Sequence, residues 1–182
     1  RPALWDRARG LGGIRAGLAP DEPGGHGLLA LMEIQSSRLA ARIARDGSFV
    51  PLTEQNRTRW DRGMIARGLT ALDRAEALGG ADGPYALQAA LAACHARALT
   101  PEATDWPRIA GLYDRLREIL PSPVVDLNRA VAHSMAFGPE AGLVISARPA
   151  EAAMLRHSPP LPPARRAFLL RAGRPARARA EF

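Results

Sequence analysis

An all-α domain of antiparallel helical hairpins, stacked as a short tetratricopeptide-like α-solenoid, is predicted by three observations. Apolar residues recur at spacings of three and four through most of the chain, as on amphipathic helices, and only Phe49–Leu52 reads as extended. The helical stretches are of middle length and are divided by short Gly/Pro turns, the connection that joins antiparallel neighbours. Pro84, Pro123 and Pro162 each begin or closely precede a helix, at intervals of 39 residues, inside the range of roughly 34 to 47 residues of helix-pair repeats.

The elements follow in order. A first helix over Arg1–Leu18 carries Leu4, Ala8, Leu11 and Ile14 on one face and ends at Pro20-Asp21-Glu22-Pro23. A second, from Gly27 to Arg45, aligns Leu28, Leu31, Met32, Leu39 and Ile43; Gln35 interrupts that face and Ile34 lies to its side. Asp46-Gly47 stops it, and the extended stretch leads into Thr53–Arg62. There Thr53 is the expected N-cap of the third helix, with Glu54 as first-turn charge and Trp60, Met64, Ile65, Leu69, Leu72 and Ala75 as its apolar register.

After the turn Gly79–Gly83, Pro84 fits the first turn of a fourth helix, where its missing N–H costs nothing; Leu87, Ala90, Leu91, Cys94 and Ala98 form its face. Thr104 is the expected N-cap of a fifth, with Ile109, Leu112, Tyr113, Leu116, Ile119 and Leu120 in register. A sixth carries Val124, Leu127, Val131 and Met135 as far as Gly138, and Asn128 on that same face is expected to be partly buried. A buried amide must be hydrogen-bonded, either as a tie between hairpins or to a ligand. Pro139 starts a seventh helix, to Ser146. The proline-rich stretch 148–163 reads as a loop, followed by a helix over 164–171 with Gly173 as its C′ and another from Pro175. The chain is expected to be one helical domain, with sub-units 1–79 and 80–182.

Apolar residues make up 47% and charged residues 24% of the chain, ordinary for a globular protein. No apolar run approaches a membrane span, and no secretory n- and h-region opens the chain. The single Cys94 excludes an internal disulfide and a cysteine-cluster zinc site, so a cytoplasmic setting is expected. The chain begins at Arg1 without a methionine and stops at Phe182 within a helical pattern, and is read as a fragment of a longer polypeptide.

The net charge is +7, and all 25 basic residues are arginine. Two readings follow: a phosphate-binding face, or a preference for arginine spread over solvated helix faces. Catalytic chemistry finds no constellation. Without lysine there is no Walker or Schiff-base lysine. Ser134, Ser146 and Ser158 sit in no nucleophile-elbow context. His26, His95, His133 and His157 are dispersed, and the adjacent Cys94 and His95 point about 100° apart on a helix. The expectation is a non-enzymatic protein with no cofactor and no metal.

The densest polar chemistry lies in Glu54-Gln55-Asn56-Arg57-Thr58-Arg59-Trp60-Asp61. In one reading Arg57, Arg59 and Trp60 form a cationic and aromatic surface that grips a partner. In the other Trp60 belongs to the core, Arg57 and Arg59 pair with Glu54 and Asp61, and the block is a structural clasp. The candidate residues are Gln55, Asn56, Arg57, Arg59, Trp60 and Asp61, with Asn128.

This block resembles the D-Q-x-R-S-R-W-D signature of extracytoplasmic-function RNA polymerase sigma factors of the sigma-70 family that carry a long, tetratricopeptide-like C-terminal extension. Leu29–Ile34 with Ser37-Arg38, Gly83–Ala90, Thr104-Asp105-Trp106 and Pro121–Ala132 match in the same order. The resemblance departs between Leu143 and Pro163, where Pro159-Pro160-Leu161-Pro162-Pro163 replaces a regular helix. It implies a regulatory or interaction module in transcription initiation, whose partners are core RNA polymerase, the sigma regions of its own full-length chain, or a small regulatory protein. Promoter DNA would be bound by sigma regions 2 and 4, which this chain lacks. A peptide-binding helical scaffold unrelated to transcription, or direct DNA contact through the arginines, are the alternatives.

Overall fold

The computed structural model describes residues 19–146. They form six α-helices and three short 3-10 turns, and extended pairing among them is limited to an isolated antiparallel bridge between Ile43 and Phe49. The chain is all-α, built of helical hairpins. The helix expected over Arg1–Leu18, the loop 148–163 and the helices after it lie outside the described residues.

Helix α1 spans Pro23–Ser36. Pro23 occupies its first turn, and the Glu22 carboxylate accepts from the N–H groups of Gly24 and Gly25 at 3.0 and 2.7 Å, satisfying donors that have no intrahelical partner. The helix therefore starts before Gly27. It ends well before Arg45: the Ser37 hydroxyl donates to the Ile34 carbonyl at 2.7 Å, and the chain tightens into a 3-10 turn over Leu39–Ala41. The buried stripe is also corrected, to Gly27, Ala30 and Ile34 in place of Leu28, Leu31 and Met32. Ile43 is 50% exposed.

The reason is crowding, because α1 packs against both α2 (Arg62–Ala77) and α3 (Pro84–Arg97). A Cβ on Gly27 would lie 2.9 Å from the Ala86 backbone nitrogen, and one on Gly68 of α2 would lie 2.6 Å from Ile34 Cγ1. Leucine on these faces would hold the helices apart.

Between α1 and α2 the chain makes a narrow hairpin. Ala44 N–H donates to Ser48 O at 2.9 Å and Val50 N–H to Arg42 O at 2.8 Å, and Gly47 turns the corner with φ +85°. The extended reading of Phe49–Leu52 thus shrinks to the bridge, and Leu52–Glu54 is a 3-10 turn. Thr53 lies inside that turn. The N-cap of α2 is Asp61, whose carboxylate accepts from Met64 N–H at 2.9 Å.

Helix α2 runs antiparallel to α1: Asp61 N–H meets Ser37 O at one end, Arg67 pairs with Glu33 midway, and Arg74 reaches Asp21 at the other end. Helix α3 runs parallel to α1, and its buried surface, Ala86 through Ala96 with few gaps, is wider than one face. Because α3 packs on α1, the chain divides into compact units between Thr104 and Asp105 and not at 79/80.

In the second unit α4 spans Trp106–Ile119, α5 Pro123–Phe137 and α6 Pro139–Ser146. Asp105, not Thr104, caps α4 by accepting from Arg108 N–H at 3.0 Å, and Ser122 caps α5. Helices α4 and α5 are antiparallel along a charged seam, with Arg117–Asp126 at 2.7 Å and Asp114 between Arg129 and His133. Asp126, Arg129 and His133 share the face turned to α4, which rotates Asn128 into solvent. The expected burial of Asn128 does not occur, and Val124 is likewise 66% exposed.

Two glycines test the packing against helix propensity. Gly68→Ala gains about 1 kcal/mol of propensity but collides with Ile34; overpacking costs about 1–3 kcal/mol, so a net loss in the urea midpoint is expected. Gly111→Ala in α4 meets nothing within 4 Å and should raise its unit's stability by about 0.5–1 kcal/mol.

Candidate functional site: the arginine clasp at the end of α3

Helix α3 ends at Arg97 with Ala98 extended and no glycine to close it by a left-handed turn. Its last carbonyls need donors from elsewhere. Arg57 supplies them. Its Nη1 donates to the carbonyls of His95 and Ala98 at 3.1 and 2.8 Å, and its Nη2 donates to Thr104 Oγ1 at 3.1 Å. Arg62 adds longer contacts, Nη1 to Ala96 O at 3.5 Å and Nη2 to Arg57 O at 3.4 Å. Two cations thus lie where the helix macrodipole is negative.

Arg57 is only 4% exposed, and its guanidinium lies 5.3 Å from the centroid of the equally buried Trp60 ring, a favourable cation–π placement. Burial pushes the Arg57 pKa down, Glu102 opposes that, and Arg62 reinforces it. The group stays charged, since guanidinium is not deprotonated in proteins. The anticipated pairing of Arg57 and Arg59 with Glu54 and Asp61 is corrected: Arg57 is held by carbonyls and a hydroxyl, and Asp61 is a helix cap. Carbonyls do this because the buried end of a helix already presents several of them unpaired.

The rest of the block divides by direction. Gln55 is 5% exposed and donates Nε2 to Val50 O at 3.0 Å, tying the bridge segment to the clasp. Asn56 is exposed, and its Oδ1 accepts from the N–H and hydroxyl of Thr58 at 3.0 and 2.7 Å, closing the 3-10 turn Arg57–Arg59. Arg59 is exposed and makes no ion pair with the described residues. The block brings Gln55, Arg57 and Trp60 inward and leaves Asn56, Arg59 and Asp61 outside; Asn128 belongs to the other unit.

Sequence reasoning missed His95, Ala98 and Thr104 as partners. Backbone acceptors leave no trace in residue identity, and Thr104 had an equally good explanation as a cap. Gln35 did carry a signal, the break in an apolar face: its Oε1 accepts from both Arg38 and Arg42. His95, beside this cluster, is pushed down to about 4, first by burial and then by Arg38 and Arg57. Among the described residues no three His, Cys, Asp or Glu side chains converge as a metal site. The arrangement holds the loop before α2 to the end of α3. No helix among the described residues is long and apolar enough to cross a membrane.

Residues 1–76 match a family model described as a family of unknown function, DUF6596. The chain is also similar to the uncharacterized protein R00370 of Rhizobium meliloti (strain 1021), with 47% identity over 142 residues. That match covers 78% of this chain and 33% of the relative, so the chain spans about a third of that protein's length. No solved structure matches the chain.

Arg57→Ala strands buried acceptors at the end of α3 and should cost about 3 kcal/mol or more in urea denaturation. Arg57→Lys should restore less than half of that, because an ammonium cannot span the same acceptors as the planar fork. A loss under about 1 kcal/mol for Arg57→Ala would rule out the structural role.

His95 gives a pH dependence. Its folded pKa lies below the ordinary histidine value, so the folded state resists a proton that the unfolded chain accepts. Its contribution is fully present above about 6.5 and is lost as pH falls toward 4, at most about 3 kcal/mol. Stability measured from pH 7 to 4.5 should fall more steeply for the wild type than for His95→Gln.

Proposed function

We propose that this chain is a C-terminal regulatory and interaction domain of an extracytoplasmic-function sigma factor of the sigma-70 family, acting in transcription initiation. The observation that carries the reading is the block Glu54–Asp61 in the company of four other matching blocks in the same order. Three features support it. The chain is all-helical, as a tetratricopeptide-like extension requires. The clasp spends its polar chemistry on holding a loop to a helix end, which suits a binding scaffold. The relative that matches over 142 residues has two-thirds of its length outside the match, enough for separate sigma regions. In this reading the domain contacts the sigma regions of its own chain or core RNA polymerase, promoter DNA is read by those other regions, and the setting is cytoplasmic.

The test is removal of the domain from the full-length protein, followed by promoter output and polymerase binding. Both, or at least promoter output, should fall; a truncated protein that transcribes and binds polymerase like the full-length one would end the proposal. Arg57→Ala in the full-length protein should reproduce the deletion in part, with its defect growing between 25 and 37 °C as the clasp fails, a temperature range set by the marginal stability of single domains, roughly 5–15 kcal/mol.

A further inference from the structure

The end of the first unit where α1 and α3 finish and α2 begins carries a surface that folding leaves unused. Three large apolar side chains stand out from it: Phe49 and Ile43, bridged to each other across the hairpin, are 69% and 50% exposed, and Leu99, next to the Ala98 held by Arg57, is 71% exposed. Exposed arginines lie in the same segments, Arg45 between Ile43 and Phe49 in the chain and Arg97 two residues before Leu99. Arg45, Arg59 and Arg97 make no hydrogen bond or ion pair with the described residues, and Arg62 makes only long contacts to carbonyls. The acidic side chains of this end do not neutralise them. Asp46 is occupied by Ser48 and Asp61 by Met64 N–H. Glu102 is held low first by its own backbone N–H and then by the Thr100 hydroxyl, with Arg57 contributing least. Glu54 is exposed.

We infer that this end of the three-helix unit docks an acidic protein segment with apolar side chains, seating them on Phe49, Ile43 and Leu99 and pairing its carboxylates with Arg45, Arg59 and Arg97. The inference rests on the reading of the domain as an interaction module and specifies the chemistry of its partner. Charge complementarity sets the sign: arginine forks without carboxylates of their own match carboxylates bidentately. The apolar members choose protein over nucleic acid, because Ile43 and Leu99 have no aromatic face for a base to stack on. An aromatic residue among arginines is the composition of interface anchors.

The experiment measures anisotropy with the full chain and three labelled probes: a peptide alternating Asp/Glu with Leu and Phe, a polyglutamate of equal charge, and a single-stranded oligonucleotide. The peptide should bind, with affinity falling as salt rises. Phe49→Ser and, separately, the double variant Arg45→Glu/Arg59→Glu should each weaken it about tenfold while leaving the thermal midpoint unchanged, as expected for exposed side chains. Polyglutamate should bind about tenfold more weakly than the peptide. No binding of the peptide, binding indifferent to both sets of substitutions, or an oligonucleotide bound as tightly as the peptide would each overturn the inference. Promoter output plays no part in this measurement, so its failure and the failure of the transcription reading are separate results.

Discussion

The first unit depends on satisfying the C-terminal end of α3. A helix that stops without a left-handed glycine leaves its last carbonyls unpaired, and the cost rises when that end is buried. Here the donors come from 34 to 41 residues earlier in the chain. Once Arg57 is committed to those carbonyls, its neighbours are constrained. Trp60 must lie under the guanidinium, Gln55 must turn inward to hold Val50, and the short 3-10 turn must be closed by Asn56 before Asp61 starts α2. One tertiary requirement thus dictates a run of local structure that propensity alone would not produce.

Arginine suits this position for reasons a lysine does not share. The planar fork donates from Nη1 and Nη2 in different directions, reaching two carbonyls and a hydroxyl at once, while its flat face stacks on the indole. A buried cation without a carboxylate would ordinarily be costly. The helix macrodipole and the aromatic face offset that cost here. Burial first, and the charges of Arg38 and Arg57 second, push the His95 pKa well below the usual histidine range.

Much of this was legible in the residues and some was not, for definable reasons. Prolines at helix starts marked α3, α5 and α6, because the residue both fixes φ and forgoes a donor that helix starts do not use. The apolar register of α2 was readable through Ile65, Leu72 and Ala75, since it faces a core on one side. The face of α1 was not, because a helix packed on two neighbours selects small residues where periodicity looks for large ones. Asn128 followed the apolar register of α5 on paper, but ion pairs with α4 set the rotation of that helix. The motif was legible as a unit and illegible in its division, since a 3-10 turn sends adjacent residues to opposite sides and has neither helical nor strand periodicity to betray it.

The abundance of arginine acquires a different meaning once the helices have directions. Asp21, Glu22 and Asp82 precede the N-termini of α1 and α3, and Arg38 and Arg97 lie where those helices end. Each charge complements the dipole of the helix end beside it, so a share of the +7 net charge is explained by local electrostatics without any nucleic acid. Arg57 and Arg62 are engaged with carbonyls, and Arg42 with an amide oxygen. Among the described residues folding leaves over a smaller set of outward guanidinium groups, Arg45, Arg59 and Arg97 among them, at an end of the unit that also exposes Ile43, Phe49 and Leu99. A count of basic residues is therefore a poor measure of the positive surface there, because the guanidinium groups committed to carbonyls and amide oxygens have to be subtracted first.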